Sequence, residues 1–258
     1  MKKIAITIFC FFLCVGFLYA QDDRTAALVS SEKNGWEYEL KAGMNIGGAS
    51  PLPLPVEIRS IDNYNPLLNG TLEGTVTHWW GNSKKWGTSV GLKLETKGMK
   101  TGATVKNYSM EIIDGGSRVA GYWTGFVHTK NHSGMLTVPV LANFRIAPRW
   151  TVKAGAYASY LIDKEFSGYV SDGYLREGTP IGQKLEFTDG KTATYNFDNN
   201  LRSFQWGFMA GASWKACRHF SLNADLSWGM NDIFKKDFKT ITFDLYPIYL
   251  NLGFGYQF

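Results

Sequence analysis

Seven stretches of the chain alternate apolar and polar residues strictly, and an eighth does so with one interruption. From Trp36 the even positions read Trp36, Tyr38, Leu40, Ala42, Met44 and Ile46, against Glu37, Glu39, Lys41, Gly43, Asn45 and Gly47 at the odd ones. The same period of two runs through 88–97, 136–146, 151–162, 204–215, 220–230 and 248–258. In 71–80, Leu72, Val76 and Trp80 alternate with Glu73, Thr75 and Thr77, but His78 breaks the apolar row. Such a period puts successive side chains on opposite faces of a strand. Each stretch is roughly nine to twelve residues long, which matches a tilted membrane strand.

The links between these stretches also alternate. Residues 82–85, 148–149 and 217–219 are tight turns, whereas 48–70, 98–134, 164–202 and 231–242 are long. Short turns on one side and long loops on the other are expected of an outer-membrane barrel. With both termini periplasmic, eight strands place all four long loops outside. The link after Gly98 holds further extended-looking sequence, 104–112 and 119–128, which reads as strand extensions above the membrane; an extra hairpin there would make ten strands.

A secreted soluble sandwich or a lipocalin-like barrel also alternates, with the apolar face inward and charges in water. Here the charges share one face: Glu37, Glu39, Glu73, Glu95 and Asp225 with Lys41, Lys93, Lys97, Arg145, Lys153 and Lys215. Three details favour lipid against the other face. Glycines recur on the charged face, where a narrow interior must hold long side chains. Aromatics such as Trp36, Trp86, Trp150, Trp214 and Trp228 cluster at strand ends, as an interfacial girdle does. The chain also stops at an aromatic, Phe258, within its last strand. The prediction is an all-β fold, an eight-stranded antiparallel transmembrane β-barrel over 36–258, with ten strands as the alternative.

Composition supports this picture. Aromatic residues make up 15%, glycines number 28, and charged residues are only 19%, below the usual quarter. Lys2 and Lys3 precede an apolar run from Ile4 to Leu18 that ends before Ala20 and Gln21, so 1–20 reads as a signal peptide cleaved between those two residues. Residues 21–35 are then a periplasmic lead-in. Cys10 and Cys14 leave with the signal, and Cys217 alone cannot form an internal disulfide. Without Lys2 and Lys3, 25 bases face 22 acids, a net charge of +3 with the bases scattered, so no nucleic-acid partner is expected.

The terminal row Leu252, Phe254, Tyr256 and Phe258 resembles the C-terminal signal recognised by outer-membrane barrel assembly machinery. Three further blocks are similar to the outer-membrane β-barrel domain family that includes the PorT-like proteins: 40–46 (LKAGMNI), 92–99 (LKLETKGM), and 136–144 (LTVPVLANF) with 150–161 (WTVKAGAYASYL). The resemblance implies the fold and an outer-membrane location. It carries no residue motif for the secretion role known in the family.

Little in the chain reads as chemistry. An eight-stranded barrel has an interior just wide enough for side chains, so its acids and bases are expected to pair across the lumen and plug it. His132 and Ser133 are adjacent in an external link, but neighbours in a strand face opposite ways and no acid stands near in sequence to orient the histidine. Asp172, Glu177, Glu186, Asp189 and Asp198 in one long link could collect calcium, but solvated loop acids are the commoner explanation; no cysteine or histidine pair has metal-ligand spacing. Cys217, beside Arg218 and His219, reads as a bystander. No catalytic, cofactor or metal site is expected, and the chain does not read as an enzyme. Tyr108, Tyr122, Trp123, Tyr169, Tyr174 and Tyr195 in the long links suit adaptable recognition of an extracellular ligand. The functional expectation is an anchor in outer-membrane lipid that displays its loops; a narrow pore or transport component is the alternative, and a lipid-modifying enzyme comes third.

Overall fold

A computed structural model describes residues 34–258. The signal segment, its cleavage point at Ala20 and Gln21, and all but the last two residues of the lead-in lie outside the described residues. The strands are β1 (Trp36–Pro51), β2 (Ile58–Pro66), β3 (Asn69–Trp80), β4 (Trp86–Asp114), β5 (Ser117–Ala147), β6 (Trp150–Glu177), β7 (Lys184–Phe187), β8 (Ala193–Asn196), β9 (Phe204–Lys215), β10 (Phe220–Gly229) and β11 (Leu245–Gln257). Eight of them form a closed antiparallel ring in the order β1, β3, β4, β5, β6, β9, β10, β11. The ring is sealed where β11 returns to β1, from Glu39 opposite Gln257 to Pro51 opposite Leu245. Closure leaves no sheet edge in the lipid-facing zone, where an unpaired backbone amide would find no water.

Burial decides the sidedness that alternation left open. Lys41, Glu73, Lys93, Glu95, Lys97, Lys153 and Asp225 are buried inside the ring, while Leu40, Leu72, Leu92, Leu94, Val140, Phe208, Leu222 and Phe254 are exposed around it. The apolar face is outside, opposite to a lipocalin. His78, the break in the apolar row of β3, sits between Trp36 and Trp80 at ring distances of 4.5 and 4.4 Å, within the aromatic rim beside the short turns.

The link 98–134 contains no separate hairpin. β4 and β5 run 29 and 31 residues and stay paired from Trp86 opposite Phe144 up to Asp114 opposite Ser117. β6 continues beside them for 28 residues. The upper 18 residues of β4, 97–114, rise roughly 60 Å along the strand at about 3.3 Å per residue. Of the remaining strands, β2 flanks β4 and β7 flanks β6, while β8 pairs with β6 and touches β4 at Ile113 opposite Thr194. The three tall strands and β8 thus close above the barrel into a head with its own core.

The side-chain pattern inverts where barrel becomes head. The inward face of β4 reads Ser89, Lys93, Glu95 and Lys97, then Met99, Val105 and Met110, all buried. Its outward face changes from Leu92 and Leu94 to Lys100, Thr104 and Lys106. In the bilayer the outside is apolar and the lumen polar, whereas in water the head must bury apolar groups instead. The change between Leu94 and Lys100 marks the outer membrane surface. Leu92→Arg therefore puts a charge in lipid and costs about 2–4 kcal/mol, while Lys100→Leu stays within about 0.5 kcal/mol. Denaturant unfolding in lipid vesicles reads both; equal effects would mean that the surface lies elsewhere.

Candidate functional site

Ten of the eleven predicted lumen charges form ion pairs, five acids with five bases. Glu95 is the hub: Lys93 and Lys97 each place an ammonium 3.2 Å from its carboxylate, and Thr137 and Asn45 donate to it at 2.7 and 2.9 Å. On the adjoining strands β3 and β1, Lys41 lies 3.2 Å from Glu73 and 3.6 Å from Glu39, and Thr75 donates to Glu73 at 2.8 Å. Lys153 reaches Asp225 at 2.9 Å and Asn223 at 3.2 Å. At the mouth beside the short turns Arg145 pairs with Glu37 at 3.1 Å and lies over the Trp79 ring, whose indole also donates to Glu37. The eleventh residue, Lys215, is half-buried by the last short turn and makes no ion pair among the described residues.

Glycine makes the crowding possible. A Cβ on Gly211 would strike the Asp225 carboxylate, and one on Gly255 would strike that of Glu39. Above the hub, Tyr157 and Tyr249 flank the Lys97 ammonium, 5.2 and 5.5 Å from their ring centres. The space left between Lys97, Ser133, Gln205 and Tyr249 is about 10 Å³, at the lower limit for one water molecule. At this level side chains fill the lumen.

The head changes the reading of the long-link aromatics. Trp123 is fully buried against Phe187, with ring centres 5.5 Å apart, and Tyr195 is buried with its hydroxyl 2.7 Å from Thr129. These residues belong to a folded core with Ile112, Val170, Leu175, Phe197 and Phe234, not to an adaptable loop surface. Burial pushes the Tyr108 and Tyr195 hydroxyls well above the ordinary tyrosine range, so both stay protonated. Tyr169 does remain exposed. It stacks on His128 at 4.2 Å and 20° beside a polar cleft of about 690 Å³ whose walls include Asn63, Asn65, Lys100, Thr194 and Asn196. Partial burial lowers the His128 pKa, favouring the neutral ring. The hydrogen bond from Lys130, 2.7 Å away, holds the Glu165 carboxyl below the usual range.

His132 and Ser133 point to opposite sides of β5, Ser133 inward and His132 half-exposed. An acid invisible in the local sequence does stand nearby, since Glu165 is opposite His132 in register. Its carboxylate is engaged by Lys130 and by Ser167 at 3.2 Å. The loop acids are dispersed: Asp198 accepts from the Phe166 amide at 2.6 Å and Glu186 pairs with Lys184 at 2.6 Å. Cys217 is exposed in its turn.

Leu252, Phe254, Tyr256 and Phe258 all face outward, 40–57% exposed, on the strand that seals the ring. A closed eight-stranded ring with its charges inside and an aromatic-rimmed apolar belt outside is the architecture of a membrane-spanning barrel. Residues 19–235 match the family described as the outer membrane protein beta-barrel domain. The chain belongs to that family. This outer-membrane barrel is integral to the outer membrane, and its exposed leucines and phenylalanines meet lipid. No curated protein sequence matches it. Among solved structures it is similar to Ail, the attachment invasion locus protein of Yersinia pestis, crystallised with the heparin analogue sucrose octasulfate: 12% identity, TM-score 0.40, covering 86% of this chain and 99% of that one. OprG from Pseudomonas aeruginosa gives 11% identity and a TM-score of 0.36, with 87% and 97% covered. Neisserial surface protein A gives 12% and 0.33, again with 87% and 97% covered.

The cleft and its Tyr169–His128 stack escaped sequence reasoning. They are assembled from β2, β4, β5, β6 and β8, and their residues share no spacing along the chain.

Proposed function

We propose that this outer-membrane barrel is a non-conducting anchor that holds a rigid recognition head outside the cell, and that the polar cleft of the head is where a ligand is bound. The observation that carries the reading is the pairing of a side-chain-filled lumen with a head that has its own buried core. A filled lumen argues against the pore reading. The cleft offers one exposed aromatic face, several side-chain amides and hydroxyls, and one cation, Lys100, that forms no ion pair among the described residues. Convergent polar groups around an aromatic platform suit a neutral, polyhydroxylated ligand, so a surface glycan is the class we assign. The outward row from Leu252 to Phe258 supports a further reading of that strand as the segment offered to the assembly machinery.

Glycan-array binding by the purified full chain tests the assignment. Tyr169→Ala and His128→Ala are each expected to weaken binding by about ten-fold, a loss of ~1.4 kcal/mol, with the heat-modified gel shift of the barrel unchanged. Binding that survives both substitutions would move the site away from the cleft, and discrete conductance steps in planar bilayers would reinstate the pore.

A further inference from the structure

The sheet is not sealed all the way up. β1 is bonded on both sides only as far as Asn45, opposite Asn69 of β3; from Ile46 to Pro51 it keeps β11 as its sole partner. β2 pairs with β4 alone. Two strand edges therefore face each other across a seam, bridged by the Tyr64 hydroxyl donating to the Gly47 carbonyl at 2.9 Å. Behind the seam is a cavity of about 470 Å³, lined by buried Met99, Val105, Val127 and Phe166 and by Phe243 and Leu245.

The depth of the seam is fixed by its neighbours. Ile248 of β11 pairs with Gly48 on one side and with Trp228 on the other, and Trp228, 45% exposed, stands in the outer aromatic girdle. The seam thus begins at the membrane surface, level with the girdle, and rises above it along the β2 residues paired with Met99–Val105. Ile58, Ile61 and Tyr64 share the inward face of their β4 partners Val105, Ala103 and Thr101, yet Ile61 and Tyr64 are 58% and 47% exposed through the gap. The link beside it carries Leu52, Leu54 and Val56, exposed at 45%, 57% and 76%. A run of uncovered apolar side chains on an external link marks a surface that takes an apolar partner.

We propose that the seam between β1 and β2 is a lateral portal from the outer leaflet, through which one hydrocarbon chain enters the cavity. An apolar space of this size falls within the range of small-molecule sites, roughly 300–1,000 Å³. The chain belongs either to a bilayer lipid or to a free fatty acid. The cavity meets the polar cleft at Thr101 and Thr129, but its apolar walls, Met99, Val105, Val127 and Phe166, are not part of the cleft, so the lipid reading does not depend on the glycan one.

Photo-crosslinking tests the portal. The full chain is reconstituted in phosphatidylcholine vesicles, in one arm with a diazirine near the end of the lipid acyl chain and in the other with a diazirine palmitic acid. Label on peptides holding Met99–Val105 and Phe166 is the expected result. Label from the lipid arm alone assigns a bilayer lipid, and label from the acid arm alone, displaced by unlabelled palmitate, assigns a free acid. Ala103→Trp, which fills the cavity, abolishes that label while leaving label on Leu92 and Leu94; Thr101→Phe is the second variant. The wild-type map decides the matter even if neither variant folds. Label confined to the outward belt in both arms would overturn the proposal.

Discussion

Glu95→Ala lowers the stability of the barrel by about 3–5 kcal/mol, read as a shift in the urea midpoint for unfolding from lipid vesicles. The carboxylate is buried and collects two ammonium groups and two neutral donors. Removing it leaves Lys93 and Lys97 charged, buried and facing each other, which costs far more than the lost contacts themselves. The triple variant Lys93→Met, Glu95→Leu, Lys97→Met recovers most of the loss, because it removes the stranded charges along with their partner. A single-variant loss below about 1 kcal/mol would mean that water reaches the hub, and the filled-lumen description would fail with it.

Trp123→Ala costs about 3–5 kcal/mol, the usual penalty for emptying a fully buried aromatic site. The loss is confined to the head. Trp123 packs against Phe187 of β7, far along β5 from the membrane belt, and none of the lumen ion pairs touches it. Limited proteolysis should cut the variant within 98–134 and 164–202 under conditions where the wild type resists, while the lipid-protected barrel keeps its heat-modified mobility. Simultaneous loss of both would show that head and barrel unfold as one cooperative unit.

The contrast between these two sites explains what the sequence disclosed. All eight barrel strands were legible because lipid and lumen impose opposite demands at every second residue, so Leu92 beside Lys93 and Phe254 beside Gly255 announce themselves. The acids and bases of one face were legible for the same reason, although their pairing was not: Lys153 and Asp225 are 72 residues apart. The head was harder to read. The phase of β4 inverts between Lys97 and Met99, and in β6 the register shifts opposite Gly134 and Met135, so that Ile162 has no partner and Phe166 and Val170 turn inward on even positions where Tyr157 and Leu161 did so on odd ones. A simple period of two fades across such a shift. Tyr108, Trp123 and Tyr195 therefore look like loop aromatics in sequence, although the structure packs them as core. Leu52, Leu54 and Val56 were the signal for the seam: a cluster of apolar residues in a link otherwise expected to be wet.

β4, β5 and β6 pass from bilayer to head without a hinge or linker. A pull on the head is therefore carried along the strands themselves, and the paired ladders of Trp86–Asp114, Ser117–Ala147 and Trp150–Glu177 meet it in shear, many hydrogen bonds at once. Peeling, which breaks bonds one by one, has no free end at which to start, because the tip at Asp114 and Ser117 is a closed turn. The head behaves as a stiff post set in the membrane, held at one height and one angle above the lipid under load.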